Sequence, residues 1–225
     1  GGAMYSLGQD GISSPILTNV TFGGNSSGKG GAMYNDGTSG QSSPTLTNVT
    51  FSGNTAQYYG GAIYNYGGEF NGEGPGQSEP SLTNVIIWLG IAGTGGPDIY
   101  NDTATANVDH GVIQHGCPAG SVCSNIITAN PLLGVLANNG GFAPTMPLGA
   151  GSSAIDTGSA LLCPATDERG VARPQGAGCD IGAVEAITDA VEQIGEDGGR
   201  RAGPDQSFDF EGLDRGRTQM LGLRV

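Results

Sequence analysis

Apolar and polar positions alternate over short stretches of residues 1–101. In the segment LTNVTF, Val49 and Phe51 are apolar and Thr50 between them is polar. A period of two is the pattern of a strand with one buried face, and Val and Thr favour extended backbone. Pro44 precedes the segment, where a missing N–H does least harm to a strand ladder. The pattern therefore predicts many short strands.

Two sequence elements recur at intervals of about 30 residues, which is the signature of a repeat architecture. One element is GGA followed by a large apolar residue and a tyrosine. The other contains LTNV. The copies are GGAMY at 1–5 and 30–34, GGAIYN at 60–65, GGPDIYN at 95–101, SPILTNVTF at 14–22, SPTLTNVTF at 43–51 and EPSLTNVII at 79–87.

A unit of this size cannot bury its apolar side chains alone, but stacked copies hydrogen-bond to each other at a spacing of ~4.8 Å. The repeats predict an all-β fold, a parallel β-helix (β-solenoid), which we expect to be right-handed because parallel crossovers are. Equivalent residues should form a leucine column, a phenylalanine column and an asparagine column with amides bonded along the axis. The predicted ladder residues are Leu17, Leu46, Leu82, Asn19, Asn48, Asn84, Phe22 and Phe51.

The pairing of GGA-[IM]-Y with F-x-x-N resembles the repeat of the chlamydial polymorphic outer-membrane proteins. F-x-x-N occurs at 22–25 and at 51–54, and residues 1–101 carry the resemblance. It implies a bacterial β-helix surface protein, extracellular or secreted, with a structural or adhesive role.

After Asn101 the repeat fades, and residues 163–185 read CPATDERGVARPQGAGCDIGAVE. This stretch is similar to the C-terminal choice-of-anchor Q domain of bacterial surface proteins, through its DxRGxxRP core and CDIGAxE ending. The resemblance covers 107–186 and implies no enzymatic activity. We divide the chain into β-helix repeats at 1–106, a loop-rich module at 107–186 that continues and caps the solenoid, and a polar, extended C-terminal tail or arm at 187–225.

Charged residues concentrate in the Gly- and Pro-rich part of this module. Such a cluster is either an active site or a satisfied ion-pair network that holds loops in place. We favour the network, because arginine forks fit carboxylates in bidentate geometry. Its predicted members are Asp167, Arg169, Arg173, Asp180 and Glu185.

The four cysteines lie in two pairs that are close in sequence, Cys117 with Cys123 and Cys163 with Cys179. Their spacings differ from the C-x2-C pairs of common zinc sites. An even number in local pairs predicts two disulfides formed in an oxidising compartment, with free thiols as the alternative. The second disulfide would bracket the charged network.

The formal net charge is −13, and Lys29 is the only basic residue before Arg169. A nucleic-acid-binding protein needs a basic footprint, so we expect no nucleic-acid partner. A polysaccharide lyase would lack its base in the repeats. No apolar run reaches the ~18 residues of a membrane helix, so we expect no membrane insertion.

Other candidate sites are weaker. His110 and His115 lie near Asp109 but have no third metal ligand at a typical spacing. Asp156 and Asp167 could pair as glycosidase carboxylates, although their place in the anchor-like module favours a structural role. We expect no catalytic, cofactor or metal site, with Ca²⁺ as the best candidate ion and GGPDIYND at 95–102 as a weak site. The tyrosines at one repeat position form either an exposed stripe for sugar rings or a packed ladder, which we favour: Tyr5, Tyr34, Tyr64 and Tyr100.

The sequence thus favours a non-enzymatic structural or adhesive solenoid of a bacterial cell surface. The alternative is a carbohydrate-binding or polysaccharide-degrading protein on the same scaffold, since fold does not fix function. Gly1 opens a complete repeat motif, so we expect further sequence or another subunit to cover the first coil. In the second case self-association through solenoid ends or the C-terminal arm produces fibres. A surface glycan or a protein is the remaining candidate ligand.

Overall fold

The computed structural model describes residues 1–69 and 74–187. One compact unit spans Gly1–Thr188, and a second, Asp189–Val225, lies outside the described residues. The predicted arm at 187–225 therefore falls outside them, apart from Ile187. In chain order the strands are β1 (Met4–Leu7), β2 (Ile12–Ser13), β3 (Ile16–Gly23), β4 (Ser26–Lys29), β5 (Met33–Asp36), β6 (Gln41–Ser42), β7 (Thr45–Ser52), β8 (Thr55–Tyr59), β9 (Ile63–Tyr66), β10 (Ser81–Trp88), β11 (Ile91–Ala92), β12 (Ile99–Asp102), β13 (Asn107–Ile113) and β14 (Val122–Ile127), and a short 3₁₀ turn follows at Ala160–Leu162.

The first three repeats each contribute one strand to each of three sheets, and the fourth contributes strands to two of them. The first sheet has the order β1-β5-β9-β12, the large sheet β14-β13-β10-β7-β3 and the third sheet β11-β8-β4, while β2 pairs with β6. All these pairings are parallel. The predicted all-β parallel solenoid is confirmed, and we call its turns coil 1 (1–29), coil 2 (30–59), coil 3 (60–94) and coil 4 (95–121).

The apolar columns lie in register inside the large sheet. Leu17 pairs with Leu46 and Leu46 with Leu82, while Phe22 pairs with Phe51 and their rings stack at 4.9 Å between centroids. Leu46 and Phe51 are fully buried. Burying such a side chain is worth about 1.5–3 kcal/mol, so each coil is held mainly by its neighbours. The columns continue through Val108 and Cys123, and through Ile87 and Ile113.

The asparagines of LTNV interrupt the pairing of the large sheet. Asn19, Asn48 and Asn84 have φ of 55°, 54° and 54°, in the left-handed region. Asparagine tolerates this region better than most residues, since its short polar side chain bonds locally. His110 and Asn125 have φ of 51° and 53° at the same position of the next two strands. The repeated asparagine therefore marks a bend within each long strand, a role that the sequence analysis did not assign.

Residues 128–187, which we call the strap, run back along the outer face of the large sheet. Among the described residues no strand follows β14. The strap contacts coil 1 where the Asn19 amide donates to the Thr166 carbonyl (2.7 Å), and coil 3 where the Ser159 N–H donates to Asn84 Oδ1 (2.7 Å). The module was predicted to continue and cap the solenoid. In the structure β13 and β14 extend the large sheet, and the strap lies along the outer face of that sheet.

The strap covers this side because the central strands are apolar on both faces. Val85 and Ile87 face the solenoid interior, while Ile86 belongs to a second buried cluster outside it. A continuous apolar run such as VII at 85–87 is typical of strands with two buried faces. The outer cluster comprises Ile86, Val112, Ala154 and Ile181.

Candidate functional site

The charged residues of the strap form one buried network. Arg173 Nη1 lies 2.8 Å from Glu185 Oε2, and both side chains are almost fully buried. The same guanidinium donates to the carbonyls of Asp180 (2.9 Å) and Gly182 (2.7 Å). Buried charges are tolerated when they are paired and hydrogen-bonded. The Arg173–Glu185 pair is therefore stabilised by hydrogen bonds to the backbone of the strap.

The other predicted members surround this pair. Arg169 binds Asp167 through two nitrogens, at 2.9 and 2.7 Å, and the Glu185 N–H donates to Asp167 Oδ2 at 2.9 Å. Burial of Asp167 opposes its ionisation, but these donors outweigh it and hold the pKa of the carboxyl below its ordinary value. Burial raises the pKa of Asp180, although the N–H groups of Ala186 and Asp156 donate to it. The structure thus brings all five predicted residues together.

Two disulfides hold the chain after the repeats. Cys117 is bonded to Cys123 at the turn between β13 and β14, and Cys163 to Cys179 within the strap. The second closes the segment that carries Asp167 and Arg173, and Cys179 itself is buried against Asn48. Among the described residues no cysteine is free.

The tyrosine row, Tyr5, Tyr34, Tyr64 and Tyr100, lies in register on the first sheet. Neighbouring ring centroids are 5.1, 4.8 and 5.7 Å apart along the row. Tyr5 is 53% exposed, whereas Tyr64 is fully buried. The row is thus a packed ladder with an exposed first member, and not a continuous open platform for sugars.

Carboxylates that the sequence analysis missed bind this row. The Tyr5 hydroxyl donates to Asp36 Oδ2 at 2.6 Å, and the Tyr64 hydroxyl donates to Asp102 Oδ2 at 2.5 Å. Burial and the Asp36 hydrogen bond raise the pKa of Tyr5 to about 12. Lys29 Nζ donates to the Tyr64 hydroxyl at 2.9 Å and lies over its ring. The sequence does contain a signal for these carboxylates, since MYND and IYND place an aspartate two residues after the tyrosine.

A continuous asparagine ladder exists, but on the first sheet. Asn35 donates to Asn65 and Asn65 to Asn101, each at 2.8 Å. In the predicted column only Asn84 donates to Asn48, at 3.1 Å, while the amides of Asn48 and Asn19 donate to strap carbonyls. The difference follows from the bend, which directs the column toward the strap. The asparagines that follow Tyr34 and Tyr64 point inward and donate to the next asparagine of the ladder.

A cavity of about 400 Å³ opens beside coil 4, and its walls include Asp98, Tyr100, Asn101 and His115. His115 Nδ1 lies 3.0 Å from Asp98 Oδ2, and the His115 N–H also donates to that oxygen at 3.1 Å. Asp98 is 3% exposed, and burial raises its pKa against the opposing effect of His115. Asp98 and His115 thus bind each other in the wall of the cavity, a contact that their spacing in the sequence did not predict.

The remaining candidates do not converge. His110 lies 3.0 Å from Asp109, whose other oxygen accepts from Ser124 and Asn125. Asp156 accepts from the Gly178 N–H, so it and Asp167 have separate partners. Asp98 and Asp102 of the weak calcium candidate also bind different groups, His115 and Tyr64. Within residues 1–69 and 74–187 no group of three or more His, Cys, Asp or Glu side chains is arranged to hold a metal ion.

Residues 48–66 match the family model of the Chlamydia polymorphic membrane protein repeat. The matched segment contains β8, β9 and the last five residues of β7. No curated protein and no solved structure matches the chain. The resemblance of 107–186 to the choice-of-anchor Q domain stays a prediction. In the part of the chain that the structure describes, no helix has the length and apolar character to cross a membrane.

Proposed function

We propose that this chain is a non-enzymatic scaffold of a bacterial cell surface, secreted and exposed outside the cell, where its solenoid serves as a structural or adhesive module. The observation that carries the proposal is the stacking of identical residues in register, fastened along one side by a strap. The charged groups of the strap that could act as catalysts already have partners within it. Arg173, Glu185 and Asp167 bind one another or the backbone, as a structural network requires.

An adhesive scaffold predicts saturable binding without turnover. The test incubates the purified chain with immobilised surface glycans and host-cell surface proteins, and in parallel with pectin, alginate and glycosaminoglycans in solution. We expect retention on at least one surface and no new reducing or unsaturated ends. Release of such ends at a rate proportional to protein concentration would overturn the proposal in favour of a polysaccharide-degrading enzyme.

Self-association through the ends of the solenoid is the finer part of the proposal. Leu17 and Val20 of coil 1 are only partly buried, whereas Leu46 and Val49 of coil 2 are fully buried at the same positions. An edge strand with apolar side chains and free backbone groups is a template for another chain. A second copy stacked on coil 1 would complete the columns and extend the stack into a fibre.

Two matched variants test this stacking. Leu17→Asp places a charge in the interior column, and we expect it to abolish concentration-dependent growth in light scattering and electron microscopy. Ile16→Asp changes the adjacent, 79% exposed side chain and should leave growth unchanged. Circular dichroism checks that both variants fold. Growth that is equal in the two variants, or absent from the unmodified chain, would contradict end-to-end stacking.

Carbohydrate binding is a second candidate function, favoured by the cavity beside coil 4. Tyr100 offers an aromatic ring, and Asp98 and His115 offer groups that exchange hydrogen bonds with sugar hydroxyls. Titration with monosaccharides, monitored by tyrosine fluorescence and repeated with His115→Ala, tests it. Saturable binding that the variant loses supports the site, and binding that the variant retains excludes it.

A further inference from the structure

The tyrosine row brings the phenol rings of coil 1 and coil 2 together at an accessible place. We propose that Tyr5 and Tyr34 form an oxidative cross-linking site, where a one-electron oxidant produced from hydrogen peroxide joins the two rings through a carbon–carbon bond. The product is a dityrosine that covalently links two consecutive coils.

The geometry of the two rings suits this bond. Their centroids are 5.1 Å apart and their planes meet at 72°, so the edge of one ring faces the other. The carbons ortho to the phenol oxygen, which carry radical density, lie at ring edges. Parallel pairing of Tyr5 with Tyr34 keeps the two side chains side by side on one face of the sheet.

A proton acceptor is already in place. A phenol that loses an electron must also lose its proton, and Asp36 Oδ2 accepts the Tyr5 hydroxyl at 2.6 Å. A base within hydrogen-bond distance of the proton is what such a transfer requires. A tyrosine phenol is protonated at neutral pH, and the pKa of Tyr5 is raised further, so its oxidation needs a proton acceptor. At 53% exposure, Tyr5 is also open to an oxidant in solution.

The step balances with one peroxide for each cross-link. Each tyrosine gives up one electron and its hydroxyl proton. The proton of Tyr5 passes to Asp36 and from there to water, and the proton of Tyr34 passes to water. The two phenoxyl radicals couple at ortho carbons, and the ortho hydrogens then move to the oxygens and restore both phenols. Hydrogen peroxide takes up the two electrons and two protons and becomes two waters.

The test uses photo-excited tris(bipyridyl)ruthenium(II) with persulfate as the one-electron oxidant, on dilute protein so that collisions between molecules are rare. We expect the blue fluorescence of dityrosine in the monomer band of a denaturing gel, a mass lower by two hydrogen atoms, and a cross-linked peptide that maps to Tyr5 and Tyr34. The linked protein should also melt at a higher temperature, because the bond restricts the unfolded chain.

Three variants make the result specific. Tyr34→Phe keeps the ring but not the phenol, and should abolish this cross-link. Tyr58→Phe changes a tyrosine that is 48% exposed and outside the row, and should not affect it. Asp36→Asn, with its fold checked by circular dichroism, should slow the reaction several-fold. Cross-links that survive Tyr34→Phe, that join only separate molecules, or that form equally fast in Asp36→Asn would overturn the proposal.

Discussion

The coils and the strap solve the same packing problem with different chemistry. In the coils, like residues stack on like: Leu46 contacts Leu17 and Leu82, and main-chain pairing repeats from strand to strand. The strap has no strand among the described residues and is held by the buried Arg173–Glu185 pair, a disulfide and side-chain bonds to carbonyls. Coil stability is therefore a sum of neighbour terms, whereas the strap depends on a few contacts that must all be present.

The asparagines at the strand bends join the coils to the strap. Asn48 donates to the Asp180 and Gly182 carbonyls at 2.9 and 3.1 Å, so the repeat supplies donors where the strap crosses coil 2. The Ala183 N–H donates in turn to the Thr50 hydroxyl at 3.0 Å. A loss of strap structure should therefore expose the outer face of the large sheet without undoing the pairing of its strands.

Breaking the buried ion pair should have the largest effect. Arg173→Ala leaves Glu185 buried without its partner, which typically destabilises a protein by about 3–5 kcal/mol. Urea unfolding followed by circular dichroism measures the loss. The double variant Arg173→Met with Glu185→Leu removes both charges and should recover most of the stability. Equal losses in the single and double variants would show that the pairing of charge is not what holds the strap.

Removing a disulfide should have the next-largest effect on stability, and the effect should be larger in the strap than in the coils. In the chain-entropy model the Cys163–Cys179 bond, which spans 16 residues, contributes about 3 kcal/mol, and Cys117–Cys123, which spans 6, about 2 kcal/mol. Paired Cys→Ser variants, compared by thermal unfolding, test the order. We also expect loss of the strap disulfide, but not of the other, to increase proteolysis between 163 and 179. The reverse order of stability would contradict the model.

The repeats were predictable from sequence because their contacts are periodic. Leu17, Leu46 and Leu82 each open an LTNV segment, so they share a column once the segments of successive coils stack. The course of the strap was not predictable. The hydrogen bond from the Asn48 amide to the Asp180 carbonyl joins residues that are 132 positions apart, and such contacts follow no period. The network members were identifiable as a charged cluster, but their position against the large sheet was not.

Substitution of Asn48 at the bend should have an intermediate effect on stability. Two variants distinguish the contribution of backbone conformation from that of hydrogen bonding. Asn48→Ala loses the amide and places alanine in the left-handed region, where the strain alone is about 1–2 kcal/mol. Asn48→Gly loses the same amide without that strain, so it should be more stable than Asn48→Ala by about 1 kcal/mol. Equilibrium unfolding of both variants measures the difference. If glycine proved no better than alanine, the hydrogen bonds to the strap would account for the whole effect.

The smallest effect concerns two aspartates that each face a histidine. Burial raises the pKa of Asp98, so its contribution to stability is complete below the ordinary aspartate pKa and is lost as pH rises through the raised value. A hydrogen bond from Ser124, opposed by slight burial and supported by Asn125 and His110, lowers the pKa of Asp109. The contribution of Asp109 is therefore present above the ordinary pKa and is lost as pH falls through the lowered one.

Thermal melts of Asp98→Asn and Asp109→Asn from neutral to acidic pH should therefore differ from the unmodified chain with opposite slopes. As pH falls, Asp98→Asn should lose stability relative to the unmodified chain, because the unmodified Asp98 takes up a proton more readily when folded. Asp109→Asn should start below the unmodified chain and approach it in acid, as the hydrogen bonds to the ionised carboxylate are lost. Slopes of the same sign would contradict the opposite pKa shifts of Asp98 and Asp109.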